Sequence, residues 1–206
     1  MTADTTVAQR AAVDDGTLAL SVELRAGHGA LEIGYRVAGR GAVALLVFDV
    51  PRVLGADGAL KVDRGTACVS FEEPHTLVVK RGIARLPRLR SVESAREPYA
   101  RLLEPEHGLD GRVLLELPVA EASPYYPAGE GTAFRKAEAR RLRFEVTYVA
   151  LANGLAARAV ADVPGAFELD RGGETGPRRP TVTLPVVLDL RAPVAVRRRT
   201  DPFEPA

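Results

Sequence analysis

The chain reads as an all-β protein, an antiparallel sandwich of about eight to ten strands with long loops. Three observations carry this. Apolar residues recur at every second position in short runs, the runs are bounded by turns drawn from 19 glycines and 15 prolines, and no long segment holds a helical period. A barrel satisfies the same pattern, and the sandwich is the preferred of the two.

Thr17 to Arg25, TLALSVELR, places Leu18, Leu20, Val22 and Leu24 on one face of a strand. AGHGA turns the chain, LEIGYRV repeats the alternation at Leu31, Ile33, Tyr35 and Val37, and GRG marks the next turn, so a hairpin is the simplest arrangement. Val43 to Val50, VALLVFDV, is short and apolar almost throughout; it suits a strand covered on both faces, and Pro51 ends it. After the turn GADG come TACVSF (66–71) and HTLVVK (75–80), separated by Glu-Glu-Pro. RVLLELPV (112–119) is the next strand, with Pro118 at its edge or outside the ladder.

In RLRFEVTYVALANGLAARAVADV (141–163), Leu142, Phe144, Val146 and Tyr148 alternate and Asn153-Gly154 suits a type I′ turn, which predicts a hairpin. Its alanine-rich return arm fits a strand or a short helix. DRGGETGPRRP (170–180) reads as a mobile loop, and TVTLPVVLDL with APVAV as one long broken strand or two short ones. The expected organisation is a disordered tail over 1–16, one sandwich domain over 17–199 and a C-terminal tail over 200–206.

Twenty-eight basic and 27 acidic side chains leave a formal net charge of +1, so no whole-molecule field draws the protein to nucleic acid or anionic lipid. Only Lys61, Lys80 and Lys136 are lysines; an arginine-rich composition of this kind reflects a GC-rich, bacterial genome. Cys68 is the single cysteine, which fits a reducing compartment and excludes an internal disulfide. The start, MTADTTVAQRAAVDDG, lacks an apolar signal core, and no stretch approaches a membrane-spanning length. A cytoplasmic location is expected.

The order LEIGYRV, polar turn, ALLVFDV, then RVLLELPV followed by SPYYP resembles immunoglobulin-like modules of uncharacterised bacterial proteins, over residues 17–150. The resemblance implies an immunoglobulin-like sandwich. It rests on strand spacing, and the cysteine pair and core Trp of antibody domains are missing.

Chemistry-bearing motifs are sparse. GxSxG, Walker-type, HExxH and GxGxxG patterns are absent, and the histidines number three: His28, His75 and His107. FEEPHTL and LEPEHGL set Glu72, Glu73 and His75, and Glu104, Glu106 and His107, in two loops; converging, they would make an oxygen-rich divalent metal site, otherwise they are solvated turns. Cys68 lies in an alternating strand with no adjacent base and reads as a structural thiol. Tyr125 and Tyr126 in SPYYP offer a small aromatic platform, or one packs inward.

From Lys80 to Arg101 seven basic residues face two acidic ones, Glu93 and Glu97. Arg88 and Arg90 would share one face of an extended segment, with Pro87 and the charges guarding a sheet edge. Joined by Arg197, Arg198 and Arg199, they could also receive an acidic protein segment. The favoured expectation is a non-enzymatic interaction or accessory module without a cofactor, binding another protein through Arg85, Arg88, Arg90, Tyr99, Tyr125 and Tyr126. The alternatives are a metal-binding protein or metal-assisted hydrolase on the Glu/His loops, and an arginine-mediated nucleic-acid binder, which has few stacking aromatics to support it.

Overall fold

The computed structural model describes residues 8–27, 29–54, 59–84, 97–125, 132–152, 155–170 and 181–200, and among them lie fifteen strands and no helix. Numbered in chain order, β1 (Gln9–Asp14), β2 (Leu18–Gly27), β3 (Ala30–Gly39) and β10 (Gly108–Glu116) form one antiparallel sheet in the order β1-β2-β3-β10. The other follows the path β11 (Val119–Ala120), β15 (Val182–Arg199), β12 (Phe134–Ala150), β4 (Leu45–Val50), β9 (Tyr99–Leu103), β14 (Phe167–Asp170) and β13 (Ala156–Ala159). A hairpin of β7 (Cys68–Glu72) and β8 (Thr76–Arg81) joins it through β8, and β5 (Arg52–Leu54) pairs separately with β6 (Leu60–Val62).

The alternation read from sequence becomes the interior. Leu18, Leu20, Val22, Leu31, Ile33 and Val37 of the first sheet share one buried cluster with Leu45, Val47, Val79, Leu142, Phe144, Val146, Leu184 and Val186 of the second. Two inner faces meeting in one cluster make the fold sandwich-like, and neither sheet closes into a barrel. Leu45–Val50 is buried at every position because its other face enters a smaller cluster, where Leu46 and Phe48 lie with Ala100 and Val149, and Phe167 packs against them.

Three expectations are corrected and two open ones decided. Residues 9–14, assigned to the tail, are β1; Ala11 and Val13 alternate and pack against the core, which repays ordering them. Among the described residues β12 and β13 do not pair as the expected hairpin: β12 is flanked by β15 on one side and by β8 and β4 on the other, and β13 pairs with β14 instead. Of the two readings of the alanine-rich arm the strand holds, at Ala156–Ala159, and of those for the C-terminal segment the single long strand holds, as Val182–Arg199. The second sheet is also not purely antiparallel. β8 runs parallel to β12, and β11 to β15; the long stretch between Arg81 and Phe134 supplies the crossover that a parallel pair needs. Among the described residues no helix is long and apolar enough to cross a membrane.

Candidate functional site

The Glu/His loops do not converge into a metal centre. Glu72 takes a two-bonded contact from Arg143, at 2.8 and 2.6 Å, and Glu73 pairs with Arg198. His75 Nδ1 lies 3.1 Å from the Glu138 carbonyl, and His107 Nδ1 lies 2.9 Å from that of Pro105. Among the described residues no three His, Cys, Asp or Glu side chains are grouped to hold an ion, and this includes Glu104 and Glu106. Arg85, Arg88, Arg90, Tyr126, His28 and the Asn153-Gly154 turn lie outside the described residues.

The remaining aromatic and basic candidates pack against the body of the protein. Tyr125 is buried, and Tyr99 is half-buried with the Arg52 guanidinium 4.8 Å above its ring. Arg197 lies over Phe134 and Arg198 over Phe71, at 4.3 and 5.4 Å, while Arg199 is itself buried. Its amide donates to Glu121, a buried carboxylate that also accepts from the Phe71 amide, at 2.7 and 2.6 Å. Burial pushes the Glu121 pKa up, against those two amides and the nearby Arg198 and Arg199 charges.

A polar network that sequence reasoning missed sits between the sheets. β4 turns Asp49 inward, where its carboxylate accepts from Tyr35 Oη at 2.9 Å and from Arg101 Nε at 2.9 and 3.1 Å, with Arg101 Nη2 closing the pair. Arg81, from the end of β8, donates to the carbonyls of Asp49, Arg64 and Thr66, and its guanidinium lies 5.9 Å from the Tyr35 ring centre. Gly111 makes this possible: a Cβ there would stand 2.1 Å from Tyr35 Cζ, so only glycine lets the ring pass to Asp49. Burial, then the Asp49 charge, push the Tyr35 pKa up to about 12. Burial opposes the Arg101 charge, yet Asp49 and Tyr35 outweigh it and its pKa is raised. These groups bond to one another and to neighbouring carbonyls, Arg81 Nε alone of their buried side-chain polar atoms making no hydrogen bond among the described residues, which marks them as structural.

Beside the network opens a cavity of about 210 Å³ whose polar lining is Arg52, Thr66, Cys68, Lys80 and Ser123. Three prolines, Pro51, Pro98 and Pro124, form much of its apolar wall. Cys68 faces Lys80 across the β7–β8 ladder, and Lys80 is held 3.6 Å from Glu145. Burial pushes the Cys68 thiol up to about 11, against the Lys80 and Arg81 charges, so the sulfur is protonated at neutral pH. A larger, shallow trough crosses the outer face of the first sheet over Ala12, Ser21 and Gly34; its charges satisfy each other, Arg10 and Arg25 on Glu23 and Arg36 on Asp110.

The remaining feature is the far edge of β10. His107 and Leu117, which flank the strand, bond to Gly39 and Gly29 on the β3 side, and the register between them is regular. Backbone groups alternate in direction along a strand, so Asp110, Arg112, Leu114 and Glu116 turn theirs outward. Arg101 Nη1 covers the Asp110 carbonyl at 2.9 Å, and no described strand pairs with the rest. The side chain at the centre of this open stretch, Leu114, is 50% exposed. No family model, no curated protein and no solved structure matches the chain.

Proposed function

We propose that the protein is a non-enzymatic interaction module, built on an immunoglobulin-like sandwich, that receives an extended segment of another protein on β10. The observation that carries this reading is the open backbone of Arg112, Leu114 and Glu116 around an exposed leucine. Strand addition draws its affinity from such backbone groups and its specificity from alternate side chains. An antiparallel partner would set an acid opposite Arg112, an apolar residue opposite Leu114 and a base opposite Glu116. Read from its own N-terminus, that partner follows the order base, any residue, apolar, any residue, acid. The single cysteine, half-buried and protonated, supports a reducing, cytoplasmic setting.

β10 itself satisfies the pattern, since Arg112, Leu114 and Glu116 are base, apolar and acid in that order. A labelled peptide copying Leu109 to Leu117 is therefore a direct probe. Fluorescence anisotropy should show it binding the wild type and failing to bind Leu114→Lys, a substitution at an exposed site that leaves the core intact. A peptide with the same residues in scrambled order should bind neither. If the wild type ignores the copied peptide up to about a millimolar, a level that corresponds to only about 4 kcal/mol of binding, β10 is not a receiving edge and the proposal fails.

A further inference from the structure

The cavity bounded by Arg52 and Lys80 carries an inference independent of the β10 edge. We propose that it is a binding site for a carboxylate on a small aliphatic body, with Arg52 as the group that receives the anion.

Three observations lead there. Among the described residues the charged lining is cationic only: Arg52 and Lys80 line the cavity and no Asp or Glu does. The two cations also differ in state. Lys80 is buried and already neutralised by Glu145, whereas Arg52 has no acceptor among the described residues; its Nε is sealed from solvent and makes no hydrogen bond with them, and its guanidinium lies over the face of Tyr99. A buried Nε without an acceptor is costly, and Arg52, half-buried on the cavity wall, is the lining cation without a counter-charge among the described residues, which an anion entering with its own oxygens supplies. A planar guanidinium matches the two oxygens of a carboxylate, and stacking on Tyr99 fixes the plane in which it presents them.

The rest of the lining sets the size and character of the ligand. Thr66 and Ser123 add hydroxyls, and the prolines with Val53, Ala67 and Ala122 leave an apolar remainder. A volume of about 210 Å³ lies below the range of drug-sized pockets, which suits a body of a few carbons. The Cys68 thiol, protonated at neutral pH, adds no negative charge to repel the anion. Such a carboxylate is carried either by a free short-chain acid or by the C-terminus of a peptide.

Amide-resolved NMR titration of the wild type with butyrate and with its neutral isostere butyramide tests this. Butyrate should give saturable shifts at residues around the cavity, such as Arg52, Ala67 and Gly82, with Kd on the order of a millimolar, and butyramide should bind at least about tenfold more weakly. Arg52→Gln should weaken butyrate about tenfold or more, and Arg52→Lys should recover part of it. Short proline-containing peptides with a free or an amidated C-terminus separate the two sources. A free-terminus peptide that outbinds butyrate assigns the site to a peptide end, and butyrate binding with no response to either peptide assigns it to a free acid. Equal shifts from butyrate and butyramide, or none from butyrate at tens of times that Kd, overturn the proposal.

Discussion

Asp49→Ala should be among the most damaging single changes in the protein. The carboxylate is 1% exposed and is the acceptor for Tyr35, itself 4% exposed, and for Arg101, whose side chain is 18% exposed. Truncation leaves Arg101 Nε and Nη2 and the buried Tyr35 phenol without their acceptor, Arg101 keeping only its Nη1 bond to the Asp110 carbonyl, and Arg81 adds a second positive charge from β8. Removing one partner of a buried ion pair costs about 3–5 kcal/mol. For a chain of this size each kcal/mol moves the midpoint by about 2–4 °C, so Tm should fall by roughly 6–20 °C. Urea unfolding followed by circular dichroism gives the free energy directly, and scanning calorimetry the midpoint. The triple change Asp49→Leu, Tyr35→Phe, Arg101→Met removes the polar groups together and should recover most of the loss, because replacing a whole buried network with apolar groups is often close to neutral. A loss below about 1 kcal/mol for Asp49→Ala would place the pair with exposed ion pairs and refute the reasoning. A triple variant no better than the single would refute it too.

Gly82→Ala places a Cβ 2.1 Å from Thr147 Oγ1 and 2.7 Å from its Cβ, a backbone-anchored clash that should destabilise by about 1–3 kcal/mol in the same urea assay; wild-type stability would show that β8 and β12 are not packed this closely. Glu121 has a folded pKa raised above the ordinary value of about 4.3, so its contribution is complete below that value and is lost as pH rises through the folded pKa. The stability difference between wild type and Glu121→Gln should therefore shift against the wild type as pH is raised from about 4, and a flat or opposite trend would contradict the burial argument. With its pKa near 11, Cys68 at pH 8 is about one part in a thousand thiolate, so iodoacetamide should alkylate it at least about a hundredfold more slowly than an ordinary cysteine; labelling at the ordinary rate would mean that the thiol is not held in this environment.

The roles of the two conspicuous motif classes change once the chain is folded. The Glu/His loops look like a ligand set because acids and imidazoles are adjacent in sequence. In the structure the carboxylates of Glu72 and Glu73 meet arginines from strands far along the chain, Arg143 and Arg198, and act as ion pairs within the second sheet. The C-terminal arginines resemble a polyanion site, but Arg197 and Arg198 lie over rings and Arg199 is buried. The strongest features of the fold for binding, the open edge at Leu114 and the unpaired Arg52, carry no sequence signature. Leu114 stands among apolar neighbours in RVLLELPV, and one arginine among many gives no sign that it will lack a partner.

Alternation alone determined the inner faces. Leu18, Leu20, Val22, Leu31, Ile33, Phe144 and Val146 all enter the core as the period of two requires, and the unbroken apolar run at Leu45–Val50 is covered on both sides. Periodicity is a property of one strand, fixed by the pleat and by which residues avoid water. Strand pairing is not: Phe134–Ala150 could satisfy its ladder with its sequence neighbour, and tertiary packing gave its two flanks to β15, β8 and β4. The inward charges follow the same division. Asp49 and Arg81 occupy buried positions and Arg101 a half-buried one, and an unpaired charge at the buried positions would cost several kcal/mol to desolvate. Only the tertiary structure brings together three strands distant in sequence, and the resulting bonds offset a cost that no local pattern shows being met.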